Sequence, residues 1–583
     1  GMNVSDRAVL FDAKRKTWLA FHRPSEIVEI HSRSEVLPAL NRIEARVEQE
    51  GLQAAGFVSY EAAPAFDKAL KVHPDEAFPL LWFGLFERSE EVILPEPEAC
   101  GPAEPIEWAP AIRREEYREA VRRIREHLLA GDTYQVNYSF RLRAEFAGNP
   151  WNLFLRMAKS QQGLYGAFLQ TDRWAVLSAS PEMFFGLDGE KAESKPMKGT
   201  APRGPTWEMD QRSALNLKQS EKNRAENIMI VDMVRNDMGR IARLGSVRAD
   251  ALFEVEAYPT LWQMTSTVTC LTDASISGIF QALFPPSSVT GAPKPGTMKI
   301  IRDIEPHPRR IYCGAAGFIL PGRIAQFNVA IRTVLVDLEN HTAEYGVGSG
   351  VVWDSEAGDE YEECLLKAKI LTRPFPSFFL LETLLWTPEE GYFLLDTHIA
   401  RMAESAAYFS IPADPAGWRE ILTATAAGLP GIRHKVRLTV DRKGIPECGA
   451  ERLPEPRTSG PVAVRLAQSS VDSTDPFLYH KTTHRAVYDN ARAGRPGCED
   501  VILWNERDEV TESTIANIVF ESDGGLWTPP VSSGLLAGTY RGWMLSRGLI
   551  RERVLPVDEL RKCSRILLVN SVQGEREAVL TGD

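Results

Sequence analysis

Apolar positions recur along this chain at two spacings, and the elements follow from which spacing holds locally. From Arg113 to Gly131 the residues Tyr117, Val121, Ile124 and Leu128 fall on one helical face, and Gly131 supplies a stop. Helical spacing returns over 221–239 and 358–371. Residues 325–337 alternate as one strand, with Asn328, Ala330 and Arg332 on one face and Phe327, Val329 and Ile331 on the other. Two prolines within Thr372-Arg373-Pro374-Phe375-Pro376 stop the preceding helix and suit a linker. Beyond them FFLLETLLW and GYFLLD predict two strands, followed by a helix from His398 and strands near 434–440, 462–467, 500–504 and 515–520. The pattern predicts a mixed α/β (α+β) protein of two domains, 2–373 and 374–583.

Composition narrows the classes. The chain has 583 residues, 44% of them hydrophobic and 25% charged, which suits a soluble folded protein too long for a single core. No window approaches a membrane span, and no basic, apolar-cored leader is read at the start. A net charge of −12 speaks against nucleic acid as a partner. A small anionic substrate stays open, provided a metal, an arginine or backbone N–H groups meet it locally. Seven scattered cysteines without a CxxC pair suit free thiols, and the cytoplasm is the expected compartment.

Candidate chemistry begins with carboxylates. Glu360, Glu363 and Lys367 are spaced to share a helix face, and Glu226 precedes an apolar run on another helix. Two such helices could hold one Mg²⁺, but taken by themselves they read first as solvated helix faces. Two Gly-rich loops are expected nearby, at Tyr345–Gly350 and Ser288–Lys294.

The blocks GDTYQVNYSF (131–140), SASPEMFF (178–185), KPMKGTAPRG (195–204), AENIMIVDMVRND (225–237), SVTGAPK (288–294), IRTVLV (331–336) and GVGSGVVWDSEAGDEYEECLLKAK (346–369) resemble the ordered motifs of the chorismate-utilising enzymes. The resemblance implies a β-sandwich with helices, and chorismate as the small-molecule substrate. It implies that Glu226 and Glu363 ligate Mg²⁺, with Glu360 a water-mediated partner. Arg332 and the Gly348, Ser349 and Gly350 amides would bind the enolpyruvyl carboxylate. Gln135, Thr200, Thr290, Gly291 and Lys367 would complete the substrate site. Glu182 would be the general acid for departure of the 4-hydroxyl. Some relatives carry a glutamate where this chain has Asn223.

Two positions choose among the members. Gln135 stands where isochorismate and salicylate synthases carry a lysine that activates water. Lys198 stands where anthranilate synthases carry alanine and aminodeoxychorismate synthases carry lysine. Attack by Lys198 at C2, followed by attack of ammonia at C4, leaves the amine at C4. An anthranilate-type first half is the rival reading, and a chorismate-binding regulatory paralogue is another.

A second set of motifs lies in 376–583. LLDTHIARMAESAAYF (394–409), YHKTTHR (479–485), VTESTIANIVF (510–520), PPVSSGLLAGTYRG (529–542) and LVNSVQG (568–574) resemble the class IV pyridoxal-phosphate enzymes. The resemblance implies a two-subdomain α/β unit with pyridoxal 5′-phosphate linked to Lys481 and Glu512 on its pyridinium nitrogen. Arg401, Gly538, Thr539, Tyr540 and Ser571 would hold the phosphate, while Glu382 and Thr383 stay unassigned. An aminodeoxychorismate lyase releasing pyruvate and 4-aminobenzoate is the expected activity, with an amino-acid transaminase as the rival. No cysteine sits in a glutaminase-like nucleophile elbow, so a separate glutamine amidotransferase subunit is expected to supply ammonia. The resemblance also implies homodimerisation through 376–583.

Overall fold

The computed structural model describes residues 7–101, 105–372, 375–455 and 460–582, without the side chains at 359, 363, 366, 367 and 369–372. The chain forms two compact units, residues 1–202 with 214–375, and 203–213 with 376–583.

Among the described residues, the first unit contains two ten-stranded sheets. Alternating apolar residues of both sheets meet in one core, where Phe21, Phe57, Trp82 and Trp174 are buried and the Phe57 and Phe78 rings stack at 5.0 Å. Burying each such ring contributes roughly 2 kcal/mol. Helices cover both outer faces. Arg33–Glu50, Glu221–Gly239 and Ile276–Leu283 pack on one sheet. Arg114–Ala130, Pro150–Gln161 and Ala357–Thr372 pack on the other. The expected stop at Gly131 is a left-handed cap with φ of 77°.

Two local expectations fail here. Residues 325–337 are not one strand: Ile324–Asn328 belongs to one sheet and Thr333–Asp337 to the other. The chain crosses between sheets at 329–332, where Arg332 adopts φ of 50°. Alternation persists through the crossing because both ends face the shared core. Tyr345–Gly350 is not a loop but the end of the strand Thr342–Val351. That strand pairs with Gln135–Glu145 throughout, and with Thr333–Asp337 only as far as Tyr345. Its glycine stretch is therefore laddered on one side only.

Among the described residues, the second unit has a four-stranded antiparallel sheet and an eight-stranded mixed sheet. Leu380–Thr387 and His434–Val440 pair at the centre of the smaller sheet. GYFLLD forms only a two-residue strand, Gly391–Tyr392, and the helix starts earlier than expected, at Leu395. Leu394, in the left-handed region, turns the chain into that helix. Pro446–Arg452 is a strand the sequence pattern did not suggest, because its mainly exposed side chains carry no apolar alternation. In the larger sheet Val462–Leu466 pairs in parallel with Asp500–Trp504 and with Gly574–Leu580.

Candidate functional site

The first unit encloses a cavity of about 340 Å³ into which Glu182, Lys198, Thr200, Glu226, Arg332 and Gly348–Gly350 open. Lys198 lies on the strand Met197–Pro202, whose pairing with Leu261–Leu271 slips between Met197 and Thr200. Gly199 takes φ of 106° in this bulge, the kind of distortion that re-aims a side chain. Lys198 Nζ lies 3.5 Å from the Ser288 carbonyl. The Lys198 carbonyl accepts from Asn227 Nδ2 at 3.1 Å, and Asn227 Oδ1 accepts from Ser266 Oγ at 2.5 Å. Nothing in the motif reading singled out Asn227; its only signal is adjacency to Glu226.

The glycines beside the lysine leave no room for side chains. A Cβ on Gly350 would stand 2.7 Å from Gln135 Nε2 and 3.0 Å from Lys198 Nζ. One on Gly346 would stand 2.3 Å from the Tyr312 ring, another residue the sequence did not flag.

Burial pushes the Glu182 carboxyl up to about 7, against opposition from the Ser288 hydroxyl, the Met197 N–H and the charges of Lys198 and Arg332. A group so placed holds a proton near neutrality and can give it away. Arg332 is buried, burial lowers its pKa, and its Nη1 has no hydrogen-bond partner among the described residues. A buried, unanswered guanidinium N–H on a cavity wall suits an anionic ligand. Burial also raises Glu226, with Lys198 and Lys222 pulling it down.

Other expected residues stand apart from the cavity lining. Thr290 is buried and donates to the Pro286 carbonyl at 3.1 Å. Gly291 packs so tightly that a Cβ would stand 2.1 Å from the Gln135 carbonyl oxygen. Both shape the loop instead of facing the cavity. Gln135 is buried behind Gly350, and both its amide atoms lack partners among the described residues. Glu360 accepts from the Tyr117 hydroxyl at 3.5 Å, and that hydroxyl lies 3.2 Å from Ser349 Oγ. The side chains of Glu363 and Lys367 lie outside the described residues. No group of three or more His, Cys, Asp or Glu residues is arranged for a metal among the described residues. Among the described residues, Glu182 and Glu226 are the carboxyl groups that line the cavity.

The second unit holds a larger cavity, about 740 Å³, lined by Arg401, Lys481, Glu512, Gly538, Thr539 and Ser571 among others. The Lys481 backbone is anchored, its carbonyl accepting the Leu381 N–H at 3.1 Å. Burial, aided by the charge of Arg401, lowers the Lys481 amine to about 8, with Glu382 and Glu512 opposing. Burial lifts Glu512 to about 8.

Gly538 caps the helix Thr539–Ser546, and a Cβ there would stand 2.0 Å from Asn517 Oδ1. The Thr539 and Ser571 hydroxyls lie 3.5 and 3.2 Å from His398 Nε2. His398 Nδ1 lies 2.6 Å from Glu382 Oε2, and Arg401 meets both Glu382 oxygens at 2.8 and 2.7 Å. Burial alone would raise Glu382, but Arg401 and His398 outweigh it and hold the carboxyl at about 2. Glu382 and His398 were unassigned in the sequence; they join Arg401 to the hydroxyl pair. The Tyr540 side chain turns away, its hydroxyl donating to Glu575 at 3.1 Å and its ring stacking on Trp543. It does not line the cavity. Two hydroxyls, a helix N-terminus and an arginine at one side, with a lysine and a buried carboxyl in the same cavity, fit pyridoxal phosphate.

Known proteins agree with this division. A family model described as chorismate binding enzyme matches residues 6–373, and one described as amino-transferase class IV matches 380–579. Aminodeoxychorismate synthase component 1 of Escherichia coli (strain K12) is 38% identical over 259 residues, 44% of this chain and 57% of that protein. Anthranilate synthase component 1 1 of Haloarcula marismortui is also 38% identical, over 44% of this chain and 53% of that protein. The chain thus spans little more than half the length of these relatives. The crystal structure of anthranilate synthase component I from Streptococcus pneumoniae TIGR4 superposes with a TM-score of 0.53 at 23% identity, covering 64% of this chain and 94% of that one, a likeness of fold. No helix among the described residues is long and apolar enough to cross a membrane. Because the chorismate binding enzyme model matches residues 6–373, well over half of its length, the chain belongs to the chorismate binding enzyme family.

Proposed function

We propose that the chain converts chorismate to 4-aminobenzoate in two steps, one in each cavity. The observation that carries the first step is Lys198 Nζ at the glycine edge of a cavity that also holds Glu182 at about 7. Lys198 attacks C2 of chorismate while Glu182 protonates the departing 4-hydroxyl, which leaves as water. Ammonia then attacks C4, the double bond shifts back, and the Lys198 amine is expelled. The product is 4-amino-4-deoxychorismate. Arg332 and the one-sided glycine strand bind the enolpyruvyl carboxylate. Glu226, with Glu363 as the partner its motif implies, would hold a magnesium ion, which would supply positive charge for the ring carboxylate.

The second step takes place at Lys481. Pyridoxal phosphate, when bound, supplies an electron sink conjugated with the substrate amine. Thr539, Ser571 and the N-terminus of Thr539–Ser546 would hold its phosphate, and Arg401 would supply charge beside them. Glu512, in the same cavity, would meet the ring nitrogen. Lys481, partly neutral with its amine at about 8, removes the proton from substrate C4, and pyruvate departs to leave 4-aminobenzoate. Lys435 and Arg437 also line this cavity and suit a substrate with two carboxylates. The description amino-transferase class IV favours a second reading, a transaminase. A separate amidotransferase supplies ammonia, in keeping with the name component 1 of the E. coli relative. Homodimerisation through 376–583 and a cytoplasmic location complete the reading.

One incubation tests it: full-length protein with chorismate, ammonia, Mg²⁺ and pyridoxal phosphate, products separated chromatographically. Equal amounts of 4-aminobenzoate and pyruvate are expected without any added keto acid. Anthranilate as the product overturns the first step, and strict dependence on a keto acid overturns the second.

A further inference from the structure

The second cavity contains a buried phenol that the scheme above leaves unused. Tyr488, on the helix Ala486–Ala493, lines the cavity and donates its hydroxyl to Glu512 Oε2 at 3.2 Å. The same oxygen accepts the Leu536 N–H at 3.1 Å. Asn517, paired with Glu512 across the sheet, steadies that donor by bonding the Leu536 carbonyl at 2.8 Å. Both donors fall on Oε2, so Oε1 is the oxygen available to a ligand. The Tyr488 ring is itself held: the Arg485 guanidinium lies 4.7 Å from its centroid, and Arg485 is bonded to the Thr514 carbonyl. A cation over the ring face also makes the phenol a better donor.

We propose that Tyr488 is a positioning residue for Glu512, favouring its ionised form and turning it so that Oε1 meets the ring nitrogen of bound pyridoxal phosphate. This rests on the cofactor reading above. The physical need is plain. A carboxyl buried this deeply tends to keep its proton, and burial lifts Glu512 to about 8 against the Leu536 N–H, the Tyr488 hydroxyl, Arg485 and Lys481. A protonated carboxyl cannot accept the ring N–H, so the ring would lose the positive charge that makes it an electron sink. Tyr488 is the one of these four that contributes a neutral side-chain donor, so removing its hydroxyl changes the hydrogen bond without removing a charge.

The test uses full-length protein loaded with pyridoxal phosphate labelled with ¹⁵N in the ring. The ring-nitrogen chemical shift is followed against pH in the wild type, Tyr488→Phe, Glu512→Gln and the double variant. In Tyr488→Phe the ring nitrogen is expected to lose its proton about one pH unit lower, a tenfold change in proton affinity. Pyruvate release should fall about tenfold in kcat with little change in KM. Glu512→Gln should remove most of the ring protonation, and adding Tyr488→Phe to it should change nothing further, as for two residues acting through one contact. A Tyr488→Phe titration that superimposes on the wild type overturns the proposal, even if the variant melts at lower temperature. So do additive effects in the double variant. Wild-type protein that takes up no cofactor overturns the cofactor reading itself, an outcome distinct from either of these.

Discussion

In the first cavity Glu182 is buried against a hydroxyl and a backbone N–H, and its carboxyl rises to about 7. In the second Glu382 is buried as deeply, but between Arg401 and His398, and its carboxyl falls to about 2. The same side chain under the same desolvation becomes a proton donor in one unit and a fixed anion in the other. In the function proposed here, the first unit draws its acid, nucleophile and anion-binding arginine from its own side chains, all of which line one cavity. The second uses Glu382 to hold Arg401 and His398, while its Glu512, without such partners bonded to it among the described residues, rises to about 8 as Glu182 does. Burial is thus uninformative about role until the partners are counted.

The sharpest way to break this contrast is to remove the lysines one at a time. Lys198→Ala should cut 4-amino-4-deoxychorismate formation by about 10³-fold. Lys481→Ala should cut pyruvate release by a similar factor while chorismate is still consumed. Substrate loss and product gain, followed separately by chromatography, check both; an equal loss of chorismate consumption in Lys481→Ala would dissolve the two-site picture.

Glu382 comes next, through stability. Its folded pKa of about 2 lies below its ordinary value of 4.5, so its contribution is present above pH 4.5 and is lost as pH falls toward 2. The size is on the order of 3 kcal/mol, from about 1.4 kcal/mol per pH unit. Urea unfolding of wild type and Glu382→Gln at pH 7 and pH 4 should show the two curves converging in acid. A constant gap would mean that packing, not charge, is what Glu382 provides.

Glu182→Gln should lower the amination rate about 10²-fold. Because the protonated form is the active one, the wild-type rate should fall as pH rises through about 7, and this limb should vanish in the variant. The smallest effect belongs to Ser571→Ala, which loses a contact with His398. It should weaken pyridoxal-phosphate binding by about 5-fold, near 1 kcal/mol, and leave amination unchanged. Cofactor titration followed by absorbance measures it.

Several features were legible before any coordinates. The helices over 221–239 and 358–371, the strand 434–440 and the stop at Gly131 follow from local spacing and local conformational preference, which the tertiary structure had no cause to override. Lys198, Glu182 and Arg332 were legible because their motifs keep residue types in order, and the cavity collects all three. Glu382 and His398 were not. A glutamate on a strand and a histidine on a helix, sixteen residues apart, carry no periodic or motif signal that they share a hydrogen bond.

Chain order alone settled which residues are available: a lysine within KPMKGT, a second within YHKTTHR and carboxylates at fixed offsets. Folding decided what each can do. Only the one-sided pairing of Thr342–Val351 shows why three glycines face a cavity instead of closing a loop. Only packing separates Thr290, bonded to the Pro286 carbonyl, from Thr200 on the cavity wall. Ionisation follows the same division, since the proton affinities of Glu182 and Glu382 are set by groups from distant segments that meet only in the folded chain.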